Sequence, residues 1–289
     1  MAKKAESPVE VPTLAKVEVS ELLKEMQGRG YYIAKAPLTK SGQVFKGDLT
    51  RFRGGKYRFG VVSDTHLCSR HQQITALWDF YRLCGRKRID TVFHCGDLVD
   101  GEKIYRGQEY ELFVHGADGQ TDYAVEHYPR VKGVSTRVIA GNHDCSFLST
   151  AGYNVVASVC RKRDDMTYLG DYLAFVHVDT ALVALMHGNG GVAYARSYKI
   201  QKVCEQLSPE NKPNMLFLGH FHIPNITPGY RNIEAVQMSC FQSQTPYMAT
   251  RGLMPWVAGL IVEIRTDDKG LANISYEWIP FYIRKENDF

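Results

Sequence analysis

The chain has 289 residues, enough for one large domain or for one large and one small domain. A hydrophobic fraction of 44% and a charged fraction of 23% are ordinary for a globular protein. No stretch approaches the roughly 18 uncharged apolar residues of a transmembrane helix. The N-terminal lysines have no apolar core behind them, so neither a membrane span nor a secretory signal is expected.

Positive charge is concentrated at the beginning of the sequence. Residues 1–60 hold twelve Lys and Arg against six Asp and Glu, a balance of +6 that leaves −2 for the rest of a chain whose total is +4. A basic appendage beside a nearly neutral body is typical of a protein that binds a polyanion, so we expect nucleic acid as a partner. A solvated basic face without a partner explains the charge equally well.

Residues 1–55 are predicted to form a small basic element ahead of the main domain. Ser20 is a candidate N-cap for an amphipathic helix over 19–28. Two strands are predicted around the turn at residues 39–42, over 31–34 and 43–45. A helix followed by a basic hairpin is the layout of a winged-helix element, which is our interpretation of this region.

From residue 56 to residue 289 strands and helices alternate, which predicts a layered α/β domain. Strands are predicted over 57–63, 91–94, 135–140, 172–178, 181–186, 214–218, 233–238, 259–264 and 274–280, and helices over 72–86, 155–163 and 198–207. The strands 172–178 and 181–186 are expected to form a hairpin. The aromatic segment 102–134 has no clear pattern. Because it joins two strand ends that carry polar motifs, we expect it to cap the domain on that side.

Five short motifs carry carboxylate, amide and imidazole groups, most of them directly after an apolar run. They are Asp64-Thr65-His66, Gly96-Asp97, Gly141-Asn142-His143-Asp144, His187-Gly188 and Gly219-His220-Phe221-His222. Residues two apart in extended chain point to the same side, so Asp64 with His66, and His220 with His222, are each suited to bind one ion. Donors from separate strand ends converge on one point, and borderline and hard metals accept mixed nitrogen and oxygen donors. The motifs therefore predict a metal site.

The candidate ligands are four histidines and three carboxylate or amide groups: Asp64, His66, Asp97, Asn142, His187, His220 and His222. The carboxylate of Asp97 is able to bridge two ions. His94 lies three residues before it and is a candidate supporting residue rather than a ligand.

The seven cysteines form no CxxC pair and are odd in number. Their scatter predicts reduced thiols in a cytoplasmic protein rather than a disulfide framework. Cys68, Cys95 and Cys145 lie close to the motifs, where a thiolate could serve as a ligand. Small buried hydrophobic residues are the favoured interpretation.

The ordered series of motifs resembles that of the calcineurin-like metallophosphoesterase superfamily, over about residues 56–285. The resemblance implies a β-sandwich flanked by helices, with two metal ions at the carboxyl ends of strands. It implies a first ion on Asp64, His66, Asp97 and His222, and a second on Asp97, Asn142, His187 and His220. His143 would protonate the leaving oxygen or steady the phosphoryl group, with Asp144 orienting its ring. Manganese is the first choice of metal, with iron, zinc or nickel as alternatives.

Two arginines that flank these motifs in the protein Ser/Thr phosphatases of the superfamily are missing here. The chain reads Leu98-Val99-Asp100-Gly101-Glu102 after Asp97, and Ile139-Ala140 before Gly141. The leading hypothesis is therefore a phosphodiesterase acting on DNA or RNA, with the basic N-terminal element gripping the backbone. The alternatives are a phosphodiesterase or phosphatase for small nucleotides, with segment 102–134 as a pocket wall, and a nucleic-acid-binding module without activity. The oligomeric state is not indicated by the sequence.

Overall fold

The structure, a computed structural model, describes residues 42–289. Its strands are β1 (Gln43–Gly47), β2 (Arg51–Phe52), β3 (Lys56–Val62), β4 (Thr91–His94), β5 (Ser135–Ala140), β6 (Met166–Asp171), β7 (Leu173–Val178), β8 (Ala181–His187), β9 (Met215–Gly219), β10 (Asn225–Tyr230), β11 (Ile233–Gln237), β12 (Ala258–Asp267) and β13 (Gly270–Pro280). Its helices are α1 (Ile74–Arg86), α2 (Ala117–His127), α3 (Ser146–Ala151), α4 (Val155–Lys162), α5 (Tyr198–Gln206) and α6 (Pro246–Thr250), with 3₁₀ turns at Gln108–Tyr110 and Pro209–Asn211. The helix predicted over 19–28, the strand over 31–34 and the winged-helix interpretation lie outside the described residues.

The strands form two mixed sheets. The first has the order β13-β12-β3-β4-β5-β6, with β2 paired to β3, and the second has the order β1-β7-β8-β9-β11-β10. In the first sheet β3, β4, β5 and β6 run parallel, and in the second β8, β9 and β11 do the same. Parallel strands bring their carboxyl ends to one edge, so each sheet offers a row of strand ends on which a site can be built.

The two sheets pack face to face, and helices cover their outer faces. Phe59 and Val61 of β3 point into the core between the sheets, where they meet Phe93 and Phe217. Val62, from the other face of the same strand, belongs to a second core that is shared with α1, α2 and α4. This alternation follows from the two-residue period of a strand. A third core joins α5 to the outer face of the second sheet. The predicted sandwich flanked by helices is confirmed.

The described residues before position 56 belong to the two sheets. Strand β1 pairs in parallel with β7, from Gln43 opposite Ala174 to Gly47 opposite Val178. Strand β2 pairs with the beginning of β3. Residues 43–47 and 51–52, which the sequence analysis assigns to the N-terminal element, are thus part of the sandwich. Their partners are up to about 130 residues away in the chain, a distance at which local patterns give no signal.

The predicted elements of the main domain agree with the structure to within a few residues, and the hairpin of β7 and β8 is present. Strands β6 and β10 and helices α2, α3 and α6 were missed. Strand β10 contains Pro228 and Gly229 and lies at a sheet edge, where a residue without a backbone N–H is tolerated. The buried face of α2 includes Gln120 and Thr121, so the helix lacks an apolar stripe. None of the helices in residues 42–289 is long and apolar enough to cross a membrane.

Candidate metal centre

The candidate ligands lie at one end of the sandwich, just after the strands that precede them in the sequence. Asp64 and His66 follow β3, Asp97 follows β4 and His220 follows β9, while His187 is the last residue of β8. Five of the seven have positive φ, which non-glycine residues adopt rarely: 52° at Asp64, 43° at His66, 56° at Asp97, 90° at His220 and 58° at His222. Backbone strain of this kind clusters at functional sites, where the surrounding structure holds it in place.

Two glycines allow the ligand loops to approach each other closely. A side chain at Gly96 would place its Cβ 2.5 Å from Nδ1 of His187, and one at Gly141 would overlap Oδ1 of Asp97. Only glycine leaves room for these ligands, which explains its place beside Asp97 and Asn142.

One cluster of donor atoms is formed by Asp64, His66 and His222. Nε2 of His222 lies 3.3 Å from Oδ1 of Asp64 and 3.1 Å from Nε2 of His66. Nδ1 of His222 is buried and has no hydrogen-bond partner among the described residues. Two imidazole nitrogens that face each other beside a buried carboxylate are the donor set of a bound cation.

A second cluster is formed by Asp97, His187 and His220, with the amide of Asn142 between them. Oδ1 of Asn142 lies 3.0 Å from Nε2 of His187 and 2.9 Å from Nδ1 of His220. Oδ2 of Asp97 lies 3.1 Å from Nε2 of His187. The amide oxygen and the carboxylate oxygen thus face the same imidazole, as ligands of one ion do.

The carboxylate of Asp97 joins the two clusters. Its Oδ2 is 3.1 Å from Nε2 of His187 in the second cluster and 3.8 Å from Nε2 of His66 in the first. Its Oδ1 accepts a hydrogen bond of 2.9 Å from the backbone N–H of His143, which fixes the orientation of the group. One oxygen atom is therefore available to both clusters. The four first-site and four second-site residues that the resemblance implies are brought together in two overlapping groups.

Three of the histidines have one ring nitrogen bound to an acceptor outside the clusters. Nδ1 of His66 lies 2.8 Å from Oδ1 of Asp100, and Nδ1 of His187 lies 2.8 Å from the carbonyl oxygen of Cys95. Nε2 of His220 lies 2.8 Å from the carbonyl oxygen of Gly190. Because each acceptor fixes the proton on that nitrogen, the other nitrogen keeps its lone pair toward the cluster. These residues therefore fit a pair of divalent metal ions.

Opposite charges dominate the electrostatics of the site. Burial alone would raise the pKa of Asp97, but the imidazoles of His187 and His143 hold it well below its usual range. Burial would lower the pKa of His187, and the carboxylate of Asp97 raises it to about 9 instead. Burial would also lower the pKa of His143, but the carboxylates of Asp97 and Asp100 raise it to about 9.

His143 lies beside the two clusters and forms a third group of donor atoms with His66 and Asp100. Its Nδ1 lies 2.6 Å from the carbonyl oxygen of Asp100, and its ring packs edge-on against that of His66, with centroids 4.5 Å apart. This contact directs Nε2 away from the backbone, and the residue lines the open cavity over the clusters. A histidine in this position is suited to exchange a proton with a bound substrate.

The expected contact between the Asp144 carboxylate and the His143 ring is not formed. The carboxylate of Asp144 accepts hydrogen bonds from the backbone N–H groups of Leu98 at 3.1 Å, Val99 at 2.9 Å and Gly141 at 2.9 Å. Burial and the charge of Asp97 raise its pKa to about 7, while these three N–H groups oppose the shift. Asp144 holds two ligand loops together, and Asp100 is the residue that positions His143.

Three further residues support the ligands through contacts that the sequence did not predict: Asp100, His94 and Thr65. Asp100 is fully buried and touches both His66 and His143. The N–H of Gly96 donates to Nδ1 of His94, so Nε2 carries the proton toward Oγ1 of Thr65 at 3.0 Å. Thr65 in turn donates to the carbonyl oxygen of Leu98 at 2.8 Å, which ties the first two motifs together. The carboxylate three residues after Asp97 was the available signal for Asp100.

A cavity of about 350 Å³ opens onto the clusters. Its lining includes His66, Asp97, Asn142, His143, His220 and His222, together with residues from two other segments, Ile104 and Tyr105 in one and Thr245, Tyr247, Met248, Leu253 and Pro255 in the other. Segment 102–134 therefore contributes to the site side of the domain, as expected. No two of the seven cysteines are joined by a disulfide, and within the described residues none of them belongs to a donor cluster.

Residues 57–235 match the model of the calcineurin-like phosphoesterase superfamily domain, and the chain belongs to this family. Among curated proteins, it is similar to the DNA polymerase II small subunit of Archaeoglobus fulgidus, with 26% identity over 70% of this chain and 50% of the relative. The small subunit from Methanothermobacter thermautotrophicus is 24% identical over 55% of this chain and 40% of the relative. The chain spans about half the length of the curated relatives it matches or less.

Solved structures with a similar fold have low sequence identity to the chain. GAP50, the anchor in the inner membrane complex of Plasmodium, is 11% identical with a TM-score of 0.48, over 80% of this chain and 86% of that chain. Vacuolar protein sorting 29 from Cryptosporidium parvum is 13% identical with a TM-score of 0.42, over 78% of this chain and 98% of that chain.

Proposed function

We propose that the chain is a metal-dependent phosphodiesterase that hydrolyses DNA or RNA. The observation that carries this proposal is Oδ2 of Asp97, which lies within 3.8 Å of imidazole nitrogens in both donor clusters, with His143 beside them. When bound, two such ions would neutralise phosphoryl oxygens and lower the pKa of an attacking water. Intact ligand positions throughout both clusters favour this function over that of an inactive binding module.

The protein groups have separate tasks in this proposal. Asp97 holds the two clusters in register, and Asp144 fixes the loops that carry Asp97 and Asn142. His143 donates a proton through Nε2 to the departing oxygen, because its Nδ1 is committed to Asp100. The burial of these groups keeps bulk water from screening their charges.

Two observations support a nucleic acid as substrate. The curated relatives are named as DNA polymerase small subunits. The described part of the basic region, around Arg51 and Arg53, lies at the beginning of β3. Strand β3 covers about 20 Å between Lys56 and Val62, at roughly 3.3 Å per residue. These arginines lie at the end of β3 opposite the clusters, so only a polymer is long enough to contact both places.

A substrate panel tests the proposal directly. Single-stranded and duplex DNA and RNA, mononucleotides and an aryl phosphodiester are incubated with the protein and Mn²⁺ at two salt concentrations, with EDTA as the control. Cleavage of oligonucleotides that disappears in EDTA is expected. Metal-dependent turnover of mononucleotides without any cleavage of oligonucleotides would contradict the assignment.

The basic region needs its own test, and the fold decides which variant to use. Deleting residues 1–55 would remove β1 and β2 from the sheets, so truncation before residue 42 or the double substitution Arg51→Gln with Arg53→Gln is preferable. Each lost phosphate contact lowers the salt dependence of binding by about one unit of slope. Arg231→Gln with Lys269→Gln, in exposed turns elsewhere, is the matched control. An unchanged slope in the Arg51 and Arg53 variant would contradict the gripping role of these two residues.

A second candidate function is a small-nucleotide phosphodiesterase. The cavity of about 350 Å³ favours it, because this volume is near the lower end for pockets that hold small molecules. The substrate panel separates the two functions. The third alternative, a nucleic-acid-binding module without activity, predicts that the purified protein contains no metal, which elemental analysis measures.

A further inference from the structure

The cavity over the metal clusters has two chemically different ends. The ligands and His143 form the polar end. The other end is built from segments outside the family motifs and is lined by Tyr105, Tyr247, Met248 and Leu253. A phosphate group alone would not be bound by apolar side chains, since it is recognised by charge and hydrogen bonds. The wall therefore faces a group attached to the phosphate.

The aromatic residues of the wall are held in place before any ligand binds. The rings of Tyr105 and Tyr247 are stacked, with centroids 4.3 Å apart and planes at 22°. The hydroxyl of Tyr105 donates a hydrogen bond of 2.6 Å to Oε2 of Glu111, a carboxyl that is itself buried. The guanidinium of Arg251 lies 4.5 Å from the centroid of the Tyr247 ring. Side chains fixed in this way lose little conformational entropy on binding.

The backbone of the second segment is equally well defined. Oγ1 of Thr245 caps α6 by accepting a hydrogen bond of 3.2 Å from the N–H of Met248. The N–H of Leu253 donates to the carbonyl oxygen of Met248 at 2.9 Å, which closes the turn after the helix. The wall is therefore a built surface that stands over the clusters, and Arg251 adds positive charge at its outer side.

From this geometry we infer that the apolar end is a subsite for one unpaired nucleoside attached to the phosphodiester that is cleaved. The inference rests on the proposed function and names the form of its substrate. Because the Tyr105 ring and the Arg251 guanidinium cover the two faces of the Tyr247 ring, a nucleobase would pack against the ring edges of the wall and against Met248 and Leu253. Such aromatic and apolar contacts are available to every base and are therefore sequence-tolerant. A cavity of about 350 Å³ has room for one nucleoside. The base of that nucleoside can contact the apolar wall only when it is unpaired, so a duplex must open at the site, whereas a single strand or a short oligonucleotide enters directly.

The test measures what the bases contribute to binding. A fluorescein-labelled DNA tetranucleotide is compared with a strand of the same length and charge in which every base is replaced by an abasic tetrahydrofuran, and with a hairpin duplex without unpaired ends. Anisotropy is read in EDTA, where no strand is cut, and again directly after mixing with Mn²⁺. Removal of the bases should weaken binding by about 5- to 150-fold, the size of one base–aromatic contact.

Variants of Tyr247 connect this effect to the wall. Tyr247→Ala should make the normal and abasic strands bind nearly alike, while Tyr247→Phe should keep the difference. Tyr282→Ala is the matched control, since Tyr282 is 80% exposed and does not line the cavity. Circular dichroism checks that each variant folds. If Tyr247→Ala does not fold, the comparison of normal and abasic strands on the unchanged protein still decides.

Equal binding of normal and abasic strands by the unchanged protein would overturn the subsite, as would hairpin binding as tight as that of the single strand. A base-dependent difference that survives Tyr247→Ala would assign it to another surface. These results are independent of hydrolysis. If binding depends on the bases and on Tyr247 but no strand is cut with Mn²⁺, the subsite stands and the proposed function fails. If normal and abasic strands are instead cleaved with equal KM, the proposed function stands and the subsite fails.

Discussion

Replacing Asp100 by Asn should weaken one metal site and spare the other. The carboxylate of Asp100 accepts the Nδ1 proton of His66 at 2.8 Å, in the first cluster. The corresponding acceptor for His187, in the second cluster, is the carbonyl oxygen of Cys95. His143 contacts the backbone carbonyl of Asp100 at 2.6 Å, which the substitution retains. Among the metal ligands only His66 loses its support, although the substitution also removes a negative charge that raises the pKa of His143.

The expected loss follows from the kind of contact that is removed. A hydrogen bond from an imidazole to a carboxylate is charge-assisted, and the loss of such a supporting partner typically costs about 10- to 100-fold in metal affinity. This corresponds to about 1.4–2.8 kcal/mol at the first site. The asparagine amide also presents an N–H₂ group that would favour the wrong tautomer of His66, in which Nε2 carries the proton.

The assay is calorimetric titration of EDTA-stripped protein with Mn²⁺, in which the two sites are resolved as two binding steps. Asp122→Asn, which replaces an exposed carboxylate paired with Lys162, is the matched control and should bind both ions as the unchanged protein does. One weakened step is the expected result. If both steps weaken equally, or neither changes, the separate roles of Asp100 and Cys95 in supporting the two clusters are refuted.

Three further substitutions test the site and the fold. His143→Ala should retain both metals by elemental analysis and lose about 10²–10⁴-fold in turnover, as for a general acid; release of metal would contradict its role. Asp97→Asn should reduce activity most, because its Oδ2 serves both clusters, and retained occupancy by two metals would count against bridging. Asp288→Ala should lower the free energy of unfolding in urea by about 0.5–2 kcal/mol, because its carboxylate accepts hydrogen bonds from the N–H and hydroxyl of Thr75 at the start of α1; an unchanged midpoint would refute this.

The site residues that directly follow a strand could be predicted from the sequence. Asp64, His66 and Asp97 directly follow apolar runs that proved to be β3 and β4, so a period of two and a polar end sufficed to group them. The overlapping ligand sets came from the family resemblance, and the structure brings the same residues together. The family match over residues 57–235 supports the fold on which this geometry depends.

The residues that escaped prediction owe their positions to contacts distant in sequence. Asp100 supports His66 from 34 positions away and lies within reach of Gln242, 142 positions away. The family resemblance implied that Asp144 orients the His143 ring, whereas the partners of Asp144 are backbone groups that no side-chain pattern reveals. The wall around Tyr247 is carried by a short helix outside the motifs, and Tyr105, which stacks on Tyr247, comes from a different segment.

Alkylation of the buried thiols beside the ligand loops can measure how often the metal centre opens. Burial raises the pKa of Cys68 and Cys95, which are both fully buried and lie two residues after His66 and two before Asp97. A thiol of this kind reacts with alkylating reagents only when its surroundings open. The rate of modification at these two positions therefore reports local opening of the loops. Any ion that binds the closed loops preferentially should slow that rate in proportion to its occupancy.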